Sequence, residues 1–363
     1  MKIYIGATRQ NDGKTIVSLG LLNALRTRTG KIGYIKPVGQ HYVKVGGHKI
    51  DEDAILMKEI YKLEDDLWHM SPIAVPQGFT EEYILHGKKE ILVKSIEQAY
   101  TKVSANKDIT IIEGTGHAGV GAVFDMSNAE VAKIIGSKVL LVSCGGIGKP
   151  IDEIMLNKSL FDMNGVELIG VVVNKIFPEK FERIKELVKQ GLAKQGIELL
   201  GAMPFKQPLS NPTLGQLLEE INGELISGEK GLSNSVNKIV IGDMPAHEEL
   251  DYFSGGALLI TPGNREDLML AAMSSFVTGV TDEYRVSGII LTCGIYPHKT
   301  ITRLISQTDI PVIAVKDDTF STASKISSLI VKIRSTDTDK IKATEELIEQ
   351  YVDVDRLLEK LKE

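Results

Sequence analysis

The chain has 363 residues, a formal net charge of −6, 43% apolar and 25% charged side chains. This is an ordinary balance for a globular protein of two domains. It excludes the basic footprint of a nucleic-acid binder, and no apolar run approaches the ~18 residues of a membrane span.

Met1-Lys2-Ile3-Tyr4-Ile5-Gly6 is too short an apolar run for a signal peptide and leads directly into a glycine loop. Cys144 and Cys293 stand far apart, each beside glycine, and no Cys-x-x-Cys or His-x-x-x-His spacing suggests zinc. Both read as free thiols in a reducing cytoplasm, the expected location.

Short β-branched runs alternate with longer helical patterns. Strands are expected at Ile3–Ile5, Ile32–Lys36, Ile109–Ile112, Val139–Ser143, Ile169–Val173 and Leu199–Met203. Helices are expected at Thr15–Thr27, Ile91–Val103, Ile151–Met163 and Glu179–Gln195. Strand–helix alternation with nearly continuous apolar strands predicts an α/β fold, a parallel sheet covered on both faces, over residues 1–205. Lys206 to Pro212 reads as a linker. A second, smaller α/β rhythm follows over residues 213–325. It has a helix at Leu214–Ile221 and strands at Ile239–Ile241, Ala257–Ile260, Gly288–Leu291 and Val312–Val315. Helices at Arg265–Val277 and Thr300–Thr308 lie between the later strands. Residues 326–363 are expected as a tail and a helix. The polar stretch Ser321–Lys342 leads to a helix at Ala343–Lys362, whose Leu347, Tyr351, Val354, Leu357, Leu358 and Leu361 form one apolar face.

Thr8-Arg9-Gln10-Asn11-Asp12-Gly13-Lys14-Thr15 joins the first strand to the first helix. That is the setting of a P-loop, in which backbone N–H groups and a helix N-terminus gather phosphate oxygens. Asn11, Gly13, Lys14, Thr15 and Ile16 are expected to touch the nucleotide. Lys14 would reach the β and γ phosphates, and the Thr15 hydroxyl would join a Mg²⁺ shell. Thr8 stands where the common pattern has its first glycine. Asp12 puts a carboxylate beside the phosphates, pointing either to solvent or to the metal. Arg9 is either a charge donor to the phosphates or a solvated loop residue.

Glu113 ends a buried strand before Gly114-Thr115-Gly116, at the sheet edge where α/β folds bind ligands. Asp53 precedes a helix and is a metal or substrate candidate, with Asp51 its competitor and helix capping the simpler role. Lys36, after the second strand, faces the same edge and would hold phosphate or a small carboxylate or amine acceptor. Lys14 and Lys36 are therefore the candidate catalytic cations, and Thr15, Asp53 and Glu113 the candidate metal ligands. Asn174 and Lys175 follow another strand, where an amide can read a purine.

Together these motifs resemble the dethiobiotin synthetase-like branch of P-loop proteins, over Met1 to about Phe205. The resemblance implies ATP and Mg²⁺ as ligands, with Lys14 on phosphate, Thr15, Asp53 and Glu113 around the metal, and Asn174 on adenine. Gly39-Gln40, Arg9-Gln10 and His117 depart from that family's substrate residues. The second half resembles a DRTGG domain through Ile260-Thr261-Pro262-Gly263-Asn264-Arg265-Glu266-Asp267. This pair of domains is similar to the N-terminal regulatory half of long bacterial phosphate acetyltransferases. The chain stops where their catalytic domain would begin, so acetyl transfer is not expected. Two functions follow: ATP-dependent phosphoryl transfer or hydrolysis on an unidentified acceptor, or ATP sensing that the second domain passes to a protein partner. A homodimer is expected, because such P-loop domains pair across their clefts and the C-terminal helix carries an apolar stripe.

Overall fold

A computed structural model describes residues 1–278, 286–329 and 331–363. The chain divides into two compact units, Met1–Lys206 with Ile333–Glu363, and Gln207–Lys332.

The first unit is built on six strands: β1 (Lys2–Ala7), β2 (Ile32–Ile35), β3 (Ile109–Glu113), β4 (Lys138–Cys144), β5 (Leu168–Ile176) and β6 (Leu199–Pro204). They lie in the order β6-β5-β4-β1-β3-β2, all parallel. Nearly every strand residue is buried, which requires cover on both faces and explains the unbroken Val/Ile/Leu runs. A fully buried Leu or Ile contributes about 1.5–3 kcal/mol, so this sheet is the unit's main store of stability. The sheet order turns outward on either side of β1, so the carboxyl ends of β1, β3, β4 and β5 open together.

Several elements escape the sequence reading, among them Asn128–Ile135, a helix. Tyr42–Val45 and His48–Asp51 form an antiparallel hairpin between β2 and helix α2 (Glu52–Tyr61), and Phe79–His86 is a short helix. The C-terminal region also differs. Two helices, Thr338–Tyr351 and Val354–Lys362, stand where one was expected, broken at Val352–Asp353. They return to the first unit, where Leu347 is buried and Val354, Leu357 and Leu358 join the core. The apolar stripe assigned to a dimer interface is thus covered within the chain. Ile330, inside the expected polar stretch, lies outside the described residues.

The second unit holds a five-stranded sheet of β7 (Glu224–Ser227), β8 (Lys238–Ile241), β9 (Ala257–Pro262), β10 (Val286–Thr292) and β11 (Val312–Ala314). The order is β7-β11-β10-β9-β8, parallel except for β7. Strand alternation divides its core into two clusters. Leu259, Ile289, Leu291 and Val312 belong to one, and Leu258, Ile260, Ile290 and Ile313 to the other.

Candidate functional site

The loop after β1 leads into helix α1 (Lys14–Thr29). Gly13 precedes the helix with φ 104°, a left-handed conformation that glycine adopts without strain. A Cβ there would also lie 2.1 Å from Asn174 Nδ2. The first turn of α1 has no acidic residue and no side-chain cap, so its leading N–H groups remain available to an anion.

Asp12 does not point to solvent. Its buried carboxylate accepts hydrogen bonds from Thr8 Oγ1 (2.6 Å), Arg9 N (2.8 Å) and Cys144 Sγ (3.0 Å). Thr8 Oγ1 is also 3.1 Å from Ser143 Oγ. The residue standing where a glycine is usual is therefore a strut, tying the loop to itself and to the end of β4. Burial and the Asp12 contact push the Cys144 thiol up to about 12, so it remains a neutral donor. Arg9 Nε pairs with Glu153 Oε2 at 3.0 Å, on the helix Gly148–Met163.

Asn174 and Lys175 are also brought to the loop. Asn174 Nδ2 donates to Asp12 O (3.1 Å), its Oδ1 accepts from Lys175 N (2.8 Å), and Lys175 Nζ donates to Asn11 O (2.7 Å). The Asn174 amide is buried and holds the loop from below. Ile16, one turn into α1, is half-buried.

Lys14 Nζ, almost fully buried, donates to Gly116 O at 3.2 Å. Burial, reinforced by repulsion from Lys36, pushes its ammonium down to about 8. The Gly114–Gly116 turn is fixed by Asn128, whose Oδ1 accepts from Thr115 N and whose Nδ2 donates to Thr115 O.

The register pairs Ile5 with Glu113 and Ile35 with Ile112, so Glu113 emerges beside the ends of β1 and β2. Its Oε1 accepts from Thr15 Oγ1 (3.0 Å) and Lys36 Nζ (3.3 Å), and its Oε2 from Tyr34 OH (3.0 Å). Lys36 Nζ also pairs with Asp53 and lies 3.7 Å from Asp51 Oδ1. One ammonium thus stands among three carboxylates. Burial opposes its charge, but the attraction of Asp53, Glu113 and Asp51 outweighs that and holds Lys36 well above its usual range. Asp51 caps α2, accepting from Asp53 N at 3.0 Å, and burial raises its carboxyl to about 6. Asp53 is the less buried of the two. Sequence reasoning missed Tyr34, although its two-residue spacing from Lys36 was a signal that both face the same side. It also missed Asn128, which accepts from Tyr4 OH at 2.7 Å, and Asn157, which donates to Thr8 O at 3.3 Å, because both act across long sequence separations.

Thr15, Glu113 and Asp53 offer oxygen donors around an excess of negative charge. Among the described residues, no group of three or more His, Cys, Asp or Glu could hold a metal by itself. The donor set fits Mg²⁺, which is commonly held by one or two carboxylates with water and substrate phosphates completing its shell. Among the described residues no helix is long and apolar enough to cross a membrane.

A family model described as an AAA domain matches residues 1–213. The chain belongs to the AAA domain family. Within this AAA domain protein, residues 216–329 match a second model, the DRTGG domain. The phosphate acetyltransferase of Nitratidesulfovibrio vulgaris is 28% identical over 366 residues, 98% of this chain and 51% of that protein. The phosphate acetyltransferase of Synechocystis sp. is 25% identical over 377 residues, 99% of this chain and 52% of that protein. The chain spans about half the length of the curated relatives it matches. Among solved structures, the CBS and DRTGG domains of Clostridium perfringens pyrophosphatase, complexed with diadenosine tetraphosphate, match at a TM-score of 0.29. The identity is 17%, covering 56% of this chain and 84% of that one. The MinD cell division protein of Aquifex aeolicus matches at a TM-score of 0.35 and 16% identity, covering 57% and 84%. Scores this low carry nothing about function.

Proposed function

We propose that the chain is a nucleotide-responsive regulatory protein that binds Mg-ATP at its P-loop and passes the bound state to a partner through the second unit. The observation that carries this reading is the braced loop: an uncapped α1 N-terminus with Lys14 and Thr15 in place, held by the hydrogen bonds of Asp12, Asn174 and Lys175. Preorganisation of this kind lowers the ordering cost of binding. Lys14 would meet the phosphates, and Thr15, Glu113 and Asp53 would hold Mg²⁺. Both domains align with phosphate acetyltransferases over nearly the whole chain, which supports regulation of an activity of that class.

Phosphoryl transfer is the second reading, favoured by Lys36, which lies at the same edge and could hold a carboxylate or amine acceptor. Its resemblance to dethiobiotin synthetase-like proteins supports ATP as the donor. Calorimetry with Mg-ATP tests the common basis. The native chain is expected to bind, and Lys14→Ala to lose about 2–5 kcal/mol of binding free energy, as for truncation of a buried charge pair. No binding by the native chain would overturn both readings. Multiple turnover with a defined acceptor would move the conclusion to the second.

A further inference from the structure

From the contacts of the returning C-terminal helices, we infer that the helix Thr338–Tyr351 is the element through which the P-loop and the second unit communicate. The inference rests on the nucleotide reading above.

The second unit is one contiguous stretch inserted between Lys206 and Ile333 of the first. It therefore has two covalent tethers, and both lead to elements that hold the loop. The outgoing tether leaves β6. That strand pairs with β5, whose end carries Asn174 and Lys175, the residues bonded to Asp12 O and Asn11 O. The returning tether enters Thr338–Tyr351, which packs along α1, the helix whose N-terminus forms the phosphate cradle.

The contact with α1 is stiff. A Cβ on Gly20 would lie 2.2 Å from Ile348 Cγ1, 2.8 Å from Ile348 Cβ and 3.0 Å from Thr344 O, so the two helices touch with no side chain between them on the α1 side. Tyr61 OH lies within hydrogen-bonding distance of Leu19 O (2.7 Å) and Glu345 Oε1 (3.1 Å), its one proton shared between the two acceptors. Arg28 reaches Glu349 with both terminal nitrogens (2.8 and 2.9 Å) and Asp355 with Nε (2.9 Å). Just beyond the helix, Val352 bridges to Gly201 of β6, and Asp353 N donates to Leu200 O at 2.8 Å. The returning segment thus joins the P-loop helix to the strand from which the first tether departs. A shift of α1 has little soft material to absorb it, and close-packed contacts transmit such shifts rather than deform continuously.

Hydrogen exchange and calorimetry on the full chain test this. Mg-ATP is expected to slow amide exchange in 338–351 as well as in the Thr8–Thr15 loop. Gly20→Ala leaves every expected phosphate contact in place and raises intrinsic helix propensity, yet its methyl must push Ile348 away. It is expected to weaken ATP binding about fivefold or more and to abolish the nucleotide-dependent protection of 338–351. Adding Ile348→Ala makes room for the methyl and is expected to restore affinity. ATP binding with protection confined to the loop, or native affinity in Gly20→Ala, would overturn the inference while leaving nucleotide binding intact. Failure of the native chain to bind ATP is a different result, the loss of the functional reading itself. Should Gly20→Ala misfold, exchange in the native chain alone decides.

Discussion

Each unit places a turn and a helix after a parallel strand, but the two helix N-termini carry opposite charge. In the first unit, α1 begins with Lys14 and has no acid in its first turn. In the second, the turn after β9 is Pro262-Gly263-Asn264-Arg265, and the following helix, Glu266–Thr278, opens with Glu266 and Asp267. Arg265 donates to Asp267 through Nε and Nη2 and to the backbone oxygens of Gly242 and Met244. Glu266 Oε1 accepts from His298 N at 2.6 Å. The second turn is therefore closed on itself, its dipole compensated by its own carboxylates. Strand, glycine turn and helix are common to both. The charge of the first turn and the partners of its side chains leave one helix N-terminus uncapped and free of acids and make the other a structural corner.

The sharpest break of this contrast is at Gly13. Gly13→Ala meets both a positive φ and the Asn174 amide, and it is expected to destabilise the unit by about 2–3 kcal/mol and abolish ATP binding, read by thermal unfolding and calorimetry. Asp12→Ala comes next. It leaves the Thr8 hydroxyl, Arg9 N–H and Cys144 thiol without their acceptor, and a loss of about 1–3 kcal/mol is expected in denaturant titration. Asp12→Asn should recover part of it. A native-like Asp12→Ala would show that these contacts do not hold the loop.

A pH series sharpens the same point. Burial lowers the Lys14 pKa to about 8, so the free protein loses this charge sooner than an ordinary lysine would. On the proposed reading ATP binds the ammonium form, so affinity should hold below that pH and fall by up to about tenfold per unit above it. A fall-off only near pH 10 would mean the site is more solvated than the geometry indicates. The smallest effect belongs to the second unit. Replacing Glu266 and Asp267 by their amides should cost about 0.3–1 kcal/mol each and leave ATP affinity unchanged.

The parallel sheet was legible because buried strands read as nearly continuous β-branched and apolar runs such as Ile109–Ile112 and Val139–Val142. The meeting of Lys14, Thr15, Lys36, Asp53 and Glu113 at one edge was legible because strand ends and loops follow one another in order, and topology gathers them there. The strut was not. Thr8 and Asp12 are four residues apart, but their partners Ser143 and Cys144 lie more than 130 positions away. The fate of the C-terminal stripe was hidden for a related reason. Its period says that Leu347 and Leu357 are covered, without saying by what. The clue was on the other helix, where Gly20 interrupts an otherwise apolar run and leaves room for Ile348.

The discontinuous first unit has a consequence for biosynthesis. Chains leave the ribosome from the N-terminus, and domains generally fold as units when their residues are complete. The second unit, residues 207–332, can close as soon as Lys332 has emerged. The first must wait, with the Gly20 face of α1 bare, until Ile348 and Leu357 are made. The later-encoded unit is thus free to fold first, and a product interrupted after the second unit would lose cover from its P-loop helix rather than a dispensable tail.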